Sequence, residues 1–533
     1  MRFARAGALA VFVAAGAVGA IGLYLTWGLV AAALHPVSVR EETPEQRRTA
    51  LTQPVRTDLG LSVAPSPPAE LAPDAPAPAP VPVPPAQAVT APAESPPEPA
   101  PAMPAATPAP ATPAPVELDV AEPKVYPPGS PSTAQGRRSG LVILHIGDSH
   151  TSADFLTGEL RRRLQARYGR GGTGYMTAGH PHIGVRSSSL KITASAGWTY
   201  KSLQRPDARP GEFWLSGYDA IATMPGETMS FAAEQPLTFD MIEIEAIGQP
   251  GGGAIDIKLD GGAPTHYDLA AAGIQPVVIR LLPQRGPTDK LREISITTAS
   301  PGTVSLASVS IYNNHSGLTY NSVGYVGAQM GLLNKMSEKL FADDLLRINP
   351  HIVVLSFGTN EASNEHLDIA QYSKNYERLI GKIKAVLPAA ALMLIGPPDF
   401  NEIPASCSKD KVAEAVCRPA GAAGVASNAA PPAATALASA GECAWRTPPK
   451  LAQVRDAQRD IAKRRGLTYW NWASIMPGEC GAQQWFTASP PLMSRDHVHF
   501  TAEGYKKSAE QLLSTLVPLI EKVRVGANAV SNN

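Results

Sequence analysis

The chain has 533 residues, of which 44% are hydrophobic and 17% are charged. Its 46 basic and 46 acidic residues give a formal net charge of zero, which argues against nucleic acid or an anionic lipid surface as a partner. At about 100 to 200 residues per domain the chain has room for two or three domains, but its prolines are too unevenly distributed for all of it to be globular.

The N-terminus carries a long apolar run. Arg2 and Arg5 are followed by residues 6–34, which contain no charged side chain. This run is longer than the roughly 7 to 15 apolar residues of a secretory signal and exceeds the roughly 20 residues needed to cross a bilayer. We predict a cytoplasmic tail (1–5) and a single transmembrane anchor (6–34) in the inner membrane, with the rest of the chain in the periplasm. A cleaved signal peptide is the alternative.

Residues 35–136 are rich in proline and alanine. Of the 52 prolines in the chain, 25 lie between Gln53 and Pro131. A stretch with so few large apolar residues cannot offset its conformational entropy by burial, so we predict a disordered linker. In an extended polyproline II conformation it would reach on the order of 200 Å.

From residue 137 onward, short apolar strands alternate with helical stretches. The run "LVILHI" (Leu141–Ile146) is typical of a parallel strand covered on both faces, and apolar residues at helical spacing follow it. Three further strands are predicted in "HIVVLSFGTNEA", "ALMLIGPPDF" and "LTYWNWA", with helices near residues 370–386, 451–465 and 502–517. The alternation predicts a doubly wound α/β fold with a parallel core, in which ligands bind at the carboxyl ends of the strands.

Residues 190–315 follow a different pattern. Alternating segments such as "FDMIEIEAIG", "GAIDIKLDGG" and "LREISITT" are separated by turn residues, and no apolar repeat of helix length appears. We predict an all-β sandwich inserted into the α/β domain, which it divides into residues 137–189 and 316–527. A low-complexity surface insertion occupies residues 418–442.

All four cysteines lie in the C-terminal third of the chain. An even number of cysteines in an exported chain predicts disulfides, and proximity in the sequence pairs Cys407 with Cys417 and Cys443 with Cys480. Their spacing fits no zinc pattern of the CxxC type, so we predict no metal site.

Two stretches carry the residues of a serine esterase. Ser149 follows the first α/β strand in "HIGDSH", where its hydroxyl can project from the carboxyl edge of the sheet. Such an enzyme also needs a base and a group that orients the base, and "SRDHVHF" places Asp496 and His499 three residues apart. His497 is the rival base, although its side chain should point away if His499 faces the site. Taken singly, each of these residues also fits a turn or a helix cap.

Two further stretches offer donors for an oxyanion. Asn360 follows a strand in "SFGTNEA", and Gly327 in "NSVGYVGAQM" offers an unshielded backbone N–H. Losing one such donor lowers the rate of acyl transfer about a hundredfold to a thousandfold. Either residue alone also fits a simple strand end or turn.

These four stretches, in this order, resemble the four blocks of the SGNH, or GDSL-type, hydrolase family. The matching residues are Gly147-Asp148-Ser149, Gly327, Gly358-Thr359-Asn360, and Asp496 with His499. The resemblance implies an SGNH-type, flavodoxin-like sheet with Ser149 as nucleophile, His499 as general base and Asp496 as its orienting partner. It also implies an oxyanion hole formed by the N–H groups of Ser149 and Gly327 and the amide of Asn360, with no metal or organic cofactor.

The chain departs from the family pattern at three positions. His150 stands where leucine is common, Glu361 stands where aspartate is common, and Val326 replaces an asparagine before Gly327. Neither His150 nor Glu361 has a required role in the scheme that the family implies.

A closer likeness concerns the substrate. The stretch "HIGDSHTSADFLTGELRRRL" and a β-module ahead of the glycine block resemble the periplasmic peptidoglycan O-acetylesterases, in which the insert is similar to a carbohydrate-binding module. This likeness implies removal of O-acetyl groups from a cell-envelope glycan, with peptidoglycan as the expected substrate, through an acetyl-serine intermediate. An O-acetyltransferase that acts on peptidoglycan or an exopolysaccharide with the same triad is the alternative, and a non-catalytic glycan-binding envelope protein is the third reading.

Some other residues have two interpretations. Trp198, Tyr200, Trp214 and Tyr218 would either stack on sugar rings or belong to the core. The histidines in "GHPHIG" have no acidic or cysteine cluster beside them, so that stretch is interpreted as a loop near the rim of the active site and not as a metal site.

Overall fold

The computed structural model of the protein describes residues 124–126, 140–208, 213–283, 288–313, 317–404, 407, 417–418 and 444–531. The predicted cytoplasmic tail (1–5), the predicted anchor (6–34) and the linker apart from 124–126 lie outside these residues, as do residues 419–442 of the low-complexity insertion. Within the part of the chain that is described, no helix combines the length and the apolar character needed to span a bilayer.

The described elements alternate between a parallel sheet with its helices and a set of antiparallel strands. The strands are β1 (Lys124–Tyr126), β2 (Leu141–Gly147), β3 (Gly172–Thr177), β4 (Lys191–Ala194), β5 (Thr199–Ser202), β6 (Tyr218–Ala222), β7 (Thr228–Phe239), β8 (Met241–Gly248), β9 (Ala254–Leu259), β10 (Thr265–Asp268), β11 (Gln275–Leu281), β12 (Thr288–Thr298), β13 (Val304–Tyr312), β14 (Leu318–Gly324), β15 (Ile352–Ser356), β16 (Ala391–Gly396), β17 (Cys417–Arg418), β18 (Trp445–Arg446) and β19 (Thr468–Asn471). The α-helices are α1 (Ser149–Ser152), α2 (Phe155–Tyr168), α3 (Glu338–Ile348), α4 (Thr359–Ala362), α5 (Ile369–Val386), α6 (Leu451–Arg465), α7 (Gly481–Phe486) and α8 (Ala502–Ser531), and two 3₁₀ turns cover Met330–Lys335 and Trp472–Ile475.

Strands β17 and β18 form a two-stranded parallel sheet. A five-stranded sheet is also entirely parallel, in the order β14-β2-β15-β16-β19. Numbered within this sheet alone, the strands run 2-1-3-4-5, which is the flavodoxin-like order. Helices α3, α5 and α6 cover one face and α2 and α8 cover the other, with alternate residues of β2 such as Val142 and Ile143 in the two cores. The predicted α/β fold with a parallel core is confirmed. In this order the ligand site is expected at the carboxyl ends of β2 and β15, where the connections leave these neighbouring strands in opposite directions.

Two antiparallel sheets form the inserted region. One contains β1, β11, β8, β13, β6 and β5, with β3 also paired to β13, and the other contains β10, β9, β12, β7 and β4. Their inner faces share one apolar core, to which Ile244 and Val309 contribute from the first sheet and Phe231 and Ile296 from the second. The two sheets therefore pack as a sandwich.

Two strands of this sandwich lie outside the predicted boundaries 190–315. Lys124–Tyr126 falls in the segment predicted as linker, yet it pairs with β11 and extends the edge of the sheet. Gly172–Thr177 falls in the predicted first part of the α/β domain, yet it pairs with β13. Neither stretch shows a strong strand pattern in the sequence, because one is very short and the other is rich in glycine. Each forms a strand because it pairs with an existing strand of the sheet.

The sandwich enters and leaves the α/β domain at neighbouring points of the chain. The N–H of Leu318 donates to the carbonyl of Gly169 at 2.9 Å, and the N–H of Gly171 donates to the carbonyl of Leu318 at 3.1 Å. The insertion therefore begins after α2 and ends at the first residue of β14.

A buried cluster of charges joins the sandwich to the α/β domain. Arg347 of α3 donates to Glu243 of β8 at 2.8 Å, to Asp344 at 2.9 Å and to Glu245, and Arg280 donates to Glu243 at 2.7 Å. Burial by itself lowers the pKa of Arg347, but the surrounding carboxylates outweigh burial and raise that pKa well above its ordinary value. Removing one member would leave buried charges unpaired, so the cluster fixes how the two parts meet.

The disulfide pairing predicted from sequence proximity is wrong. Cys417 is bonded to Cys480, which lies 63 residues further along the chain, so neither Cys407–Cys417 nor Cys443–Cys480 forms. Cys407 is also disulfide-bonded. The Cα atoms of Cys417 and Cys480 lie 5.8 Å apart, within the range a disulfide requires, and the fold sets this distance independently of sequence separation.

Candidate active site

The turn after β2 holds Ser149 at the carboxyl edge of the parallel sheet. At Gly147 a Cβ atom would lie 2.1 Å from Thr151 Oγ1 and 2.6 Å from the carbonyl oxygen of Ser356, so only glycine fits there. Asp148 caps the helix that follows, because its Oδ1 accepts the N–H of His150 at 3.0 Å. Ser149 is the first residue of α1 and is 9% exposed. The strand thus ends and the helix begins within two residues, which leaves the serine hydroxyl at the edge of the sheet.

The structure brings Ser149, His499 and Asp496 together in one chain of hydrogen bonds. Nε2 of His499 lies 2.8 Å from Oγ of Ser149, and Nδ1 of His499 lies 2.7 Å from Oδ2 of Asp496. The other carboxylate oxygen of Asp496 accepts the N–H groups of Val498 and His499 at 3.0 and 2.9 Å. The carboxylate therefore orients both the imidazole and the backbone of the loop that carries it.

The pKa values of Asp496 and His499 are shifted in opposite directions. Burial tends to raise the pKa of Asp496, but its hydrogen bond to His499 and the backbone N–H groups lower it to about 2. Burial tends to lower the pKa of His499, but its contact with Asp496 outweighs burial and raises the pKa above its ordinary value. At neutral pH the carboxylate is ionised and the imidazole can exchange a proton, as a general base requires.

The neighbouring histidines do not take the place of His499. His497 is buried and its ring stacks on Trp445, with centroids 3.8 Å apart. His150 is buried against the ring of His499, with centroids 5.2 Å apart, and its Nδ1 lies 2.9 Å from the hydroxyl of Tyr505. Burial lowers the pKa of His150 to about 3, so this ring stays neutral and packs against the ring of His499. A histidine in place of leucine was the sequence signal for this contact.

The three predicted oxyanion donors come from three adjacent strand ends. Gly327 follows β14, Ser149 follows β2 and Asn360 follows β15, and these strands are neighbours in the sheet. Gly327 has a φ of +72°, in the region that favours glycine, and no atom lies within 4 Å of where a Cβ would be. Among the described residues, the N–H groups of Ser149 and Gly327 have no hydrogen-bond acceptor. Both donors are therefore available to a ligand.

A set of hydrogen bonds ties the glycine segment to the asparagine segment. The Asn360 amide donates to the carbonyl of Ala328 at 2.9 Å, which leaves its second hydrogen available, and Nε2 of Gln329 donates to the carbonyl of Asn360 at 3.3 Å. Oε1 of Glu361 accepts the N–H of Met330 at 2.7 Å. Glu361 is 1% exposed, and burial, with a smaller effect from Asp148, raises its pKa to about 7.

Sequence reasoning assigned no role to Glu361, although its place directly after Asn360 was a usable signal. The bond to Met330 holds the chain three residues beyond Gly327, so Glu361 acts on the oxyanion donors through the backbone. Among the described residues, its Oε2 has no hydrogen-bond partner.

Of the four aromatic residues that would either stack on sugar rings or belong to the core, three belong to the core. Trp198, Trp214 and Tyr218 are buried, and Tyr200 accepts the N–H of His180 through its hydroxyl. Phe155 at the start of α2 is a large aromatic side chain that is exposed to solvent, with an exposed fraction of 42%. No group of three or more His, Cys, Asp and Glu residues in the described ranges could hold a metal ion.

Comparison with known proteins finds that the chain is similar to esterases. The sequence profile of the GDSL-like lipase/acylhydrolase family matches residues 307–507, which include Gly327, Asn360, Asp496 and His499. A solved structure of a peptidoglycan O-acetylesterase is similar with 26% identity and a TM-score of 0.54, over 73% of this chain and 94% of that chain. A family two carbohydrate esterase from Cellvibrio japonicus shares 13% identity with a TM-score of 0.23, over 66% and 98% of the two chains. No curated protein sequence matches the chain.

Proposed function

Since the chain carries a GDSL-type esterase domain, as its resemblance to that family predicted, we propose that it removes O-acetyl groups from peptidoglycan. The observation that carries the proposal is the hydrogen-bonded chain from Ser149 through His499 to Asp496. The similarity to a peptidoglycan O-acetylesterase over 73% of the chain supports the choice of substrate.

The first chemical step is attack on the acetyl ester. Nε2 of His499 takes the proton of the Ser149 hydroxyl while Oγ bonds to the acetyl carbon, and Asp496 stabilises the imidazolium that forms. The carbonyl oxygen becomes negatively charged and accepts hydrogen bonds from the N–H groups of Ser149 and Gly327 and from the free amide hydrogen of Asn360. Collapse of this intermediate breaks the bond to the sugar oxygen, which leaves with the proton returned by His499.

The second step regenerates the enzyme. Water gives a proton to His499 and attacks the acetyl-serine, the same three donors hold the oxyanion, and acetate leaves as Ser149 recovers its proton. The residues of the chain supply every proton transfer in this scheme, so the proposal includes no metal and no organic cofactor.

The proposed location is the periplasmic face of the inner membrane. The uncharged run 6–34 supports a single membrane anchor, and the proline-rich segment supports an extended connection to the enzyme domain. The disulfide between Cys417 and Cys480 supports an oxidising compartment. An enzyme anchored in this way would reach cell-wall glycan without leaving the membrane.

Acetate release from O-acetylated peptidoglycan tests the proposal, with the full chain purified in detergent and a chitooligosaccharide added as a possible acceptor. We expect free acetate, unchanged by the acceptor, and a loss of activity of about 10⁴-fold or more in Ser149→Ala. The exposed Ser514→Ala serves as the matched control and should keep full activity. Acetyl groups on the acceptor would assign a transferase instead, and equal release by wild type and Ser149→Ala would refute the catalytic assignment.

A further inference from the structure

A short segment, residues 180–186, borders both the nucleophile turn and the oxyanion glycine. Oγ of Ser152 donates to the carbonyl of Gly184 at 3.0 Å and to the carbonyl of Ser149 at 3.1 Å, and the N–H of Arg186 donates to the carbonyl of Ser152 at 3.0 Å. A Cβ at Gly184 would approach Val326, the residue before Gly327, at 3.0 Å. The sequence-based interpretation of this segment as a loop near the active-site rim agrees with these contacts.

Buried charges hold the segment in place at its C-terminal end. Oδ2 of Asp154 accepts the N–H of Ser188 at 2.8 Å and its hydroxyl at 2.7 Å, and it is paired with Arg161 at 3.0 Å. Asp154 and Arg161 are 4% and 6% exposed. The groups that the segment presents to solvent therefore stand at fixed positions relative to Ser149, as a preformed binding site requires.

Three exposed side chains lie on this rim, and Arg186 links the other two residues. Ile183 is 82% exposed and Phe155 is 42% exposed. The guanidinium of Arg186 lies 5.7 Å from the centre of the Phe155 ring, and its Nε donates to the carbonyl of Ile183 at 3.0 Å. Phe155 is supported from below by the ring of Tyr505, with centroids 5.7 Å apart and planes 14° apart.

The charge of Arg186 is not neutralised by a carboxylate of the described residues. Within the described part of the chain its terminal N–H groups have no hydrogen-bond acceptor and no carboxylate pairs with it. It also lines a small cleft, together with Ser152 and Gly324 on the nucleophile side and Met176 and Ile192 on the sandwich side. Arg186 therefore borders a cleft beside the nucleophile turn.

A solvated arginine resting on a phenylalanine is only weakly stabilised by that contact, and a single exposed apolar residue needs no explanation. What distinguishes this rim is that a fixed, unpaired guanidinium and two exposed apolar side chains lie together beside a nucleophile. A guanidinium fork binds a carboxylate in a bidentate manner.

We propose that Phe155, Ile183 and Arg186 form a subsite for a carboxylate-bearing part of the glycan, adjacent to the acetylated sugar. The proposal rests on the proposed function and deepens it, because it makes the enzyme selective for an anionic glycopeptide over a neutral acetylated polysaccharide. Arg186 binds the carboxylate and thereby determines specificity, while Ser149, His499 and Asp496 carry the chemistry on any acetyl ester.

The test compares kcat and KM of the full chain and its Arg186→Gln variant on matched substrates. These are O-acetylated muropeptides with free carboxylates, the same muropeptides with their carboxylates amidated, and p-nitrophenyl acetate. We expect Arg186→Gln to raise KM about 10- to 100-fold on the first substrate only, because a hydrogen bond to a charged group is lost. Arg186→Lys, which keeps the charge without the fork, should be intermediate, and added salt should raise KM for the wild type more than for Arg186→Gln.

A matched control is Arg464→Gln. Arg464 is an exposed arginine in the last turn of α6, paired with Glu377 at 2.8 Å, and this helix end lies at the amino edge of the parallel sheet, away from the strand ends that carry Ser149 and Asn360. It should leave all three substrates unaffected.

Two results would overturn the subsite. One is an equal loss on free and amidated muropeptides, which would make Arg186 a structural residue. The other is no change on any substrate, which would make it a solvated side chain.

Failure of the proposed function has a different signature. If wild type cleaves p-nitrophenyl acetate but no glycan, the assignment to acetylated peptidoglycan fails. The subsite is then tested by inhibition of p-nitrophenyl acetate hydrolysis with deacetylated muropeptides. Weaker inhibition of Arg186→Gln than of wild type supports the subsite, and equal inhibition refutes it.

Discussion

The protein contains two charged clusters that use similar groups in opposite ways. In the candidate site, the side chains of His499 and Asp496 are 38% and 49% exposed and come from one loop, three residues apart. In the cluster between the domain and the sandwich, the side chains of Arg347, Glu243 and Glu245 are 0% exposed, and Arg347 lies more than 100 residues along the chain from both glutamates.

Exposure decides what each cluster can do. A partly exposed imidazole whose pKa is raised above its ordinary value can take up and release a proton as it reacts. In the buried cluster the carboxylates raise the pKa of an already basic guanidinium still further, so that its charge never changes. One cluster therefore suits chemistry and the other suits attachment of the two parts of the molecule.

The largest expected effect follows from breaking the buried cluster. Arg347→Met leaves Glu243, Glu245 and Asp344 without their shared cation, and breaking a buried pair in this way costs about 3 to 5 kcal/mol of stability. We expect a drop in Tm of many degrees, with the remaining folded protein still active. Lys339→Met is the matched control on the same helix, because Lys339 pairs with Asp343 at 2.6 Å but is 76% exposed. Its effect should stay below about 1 kcal/mol, and equal effects of the two variants would contradict the comparison.

Asn360→Ala should change the rate instead of the stability. Removing its amide takes one donor from the developing oxyanion, which lowers kcat by about 10² to 10³-fold. The measurement is kcat on p-nitrophenyl acetate together with Tm. Asn471→Ala is a suitable control, because Asn471 is exposed and also ends a parallel strand, β19. A rate unchanged by Asn360→Ala would remove this residue from the oxyanion hole.

The pH dependence of kcat/KM should report the ionisation of His499. Neutral imidazole is the form that accepts the proton of Ser149, so kcat/KM should rise with pH through the raised pKa of His499, above its ordinary 6.5. Below that pKa we expect about a tenfold loss per pH unit. Asp496→Asn removes the group that raises the pKa, so the rising limb should move to lower pH while the plateau falls. A limb that stays in place would show that another group titrates.

The smallest expected effect comes from Glu361→Gln. The buried carboxyl has a pKa of about 7 against an ordinary value of 4.5, so the folded state holds a proton that the unfolded chain releases. Its contribution to stability is present below about pH 4.5 and is lost as pH rises toward 7. Glutamine cannot ionise and still accepts the N–H of Met330, so this variant should have a higher Tm than wild type at pH 8 and an equal one at pH 5, with kcat within about threefold. An equal Tm difference at both pH values would refute the role of ionisation.

Features encoded locally could be predicted from the sequence. The strand before Ser149 is an apolar run, the spacing of Asp496 and His499 fits within one turn, and Asn360 follows a second apolar run. Parallel strands align their carboxyl ends, so these residues were expected at one edge of the sheet, and the structure places them there.

Features that depend on contacts between distant segments could not be predicted. The partner of Cys417 lies 63 residues away, β1 exists because β11 offers an edge, and Arg347 meets Glu243 only when the sandwich has docked. The burial of Trp214 likewise depends on which sheet covers it. In each case the local residues are compatible with several partners, and the complete fold selects one.

The meeting of Gly169 and Leu318 has a consequence for how this architecture can change. Because the chain leaves and re-enters the α/β domain at points joined by two backbone hydrogen bonds, residues between them can be exchanged without altering the order of the parallel strands. A replacement module would need to supply its own counterparts to Glu243 and Glu245 for Arg347. The insertion can therefore be replaced as a unit while Ser149, Asn360, Asp496 and His499 keep their places on the parallel sheet.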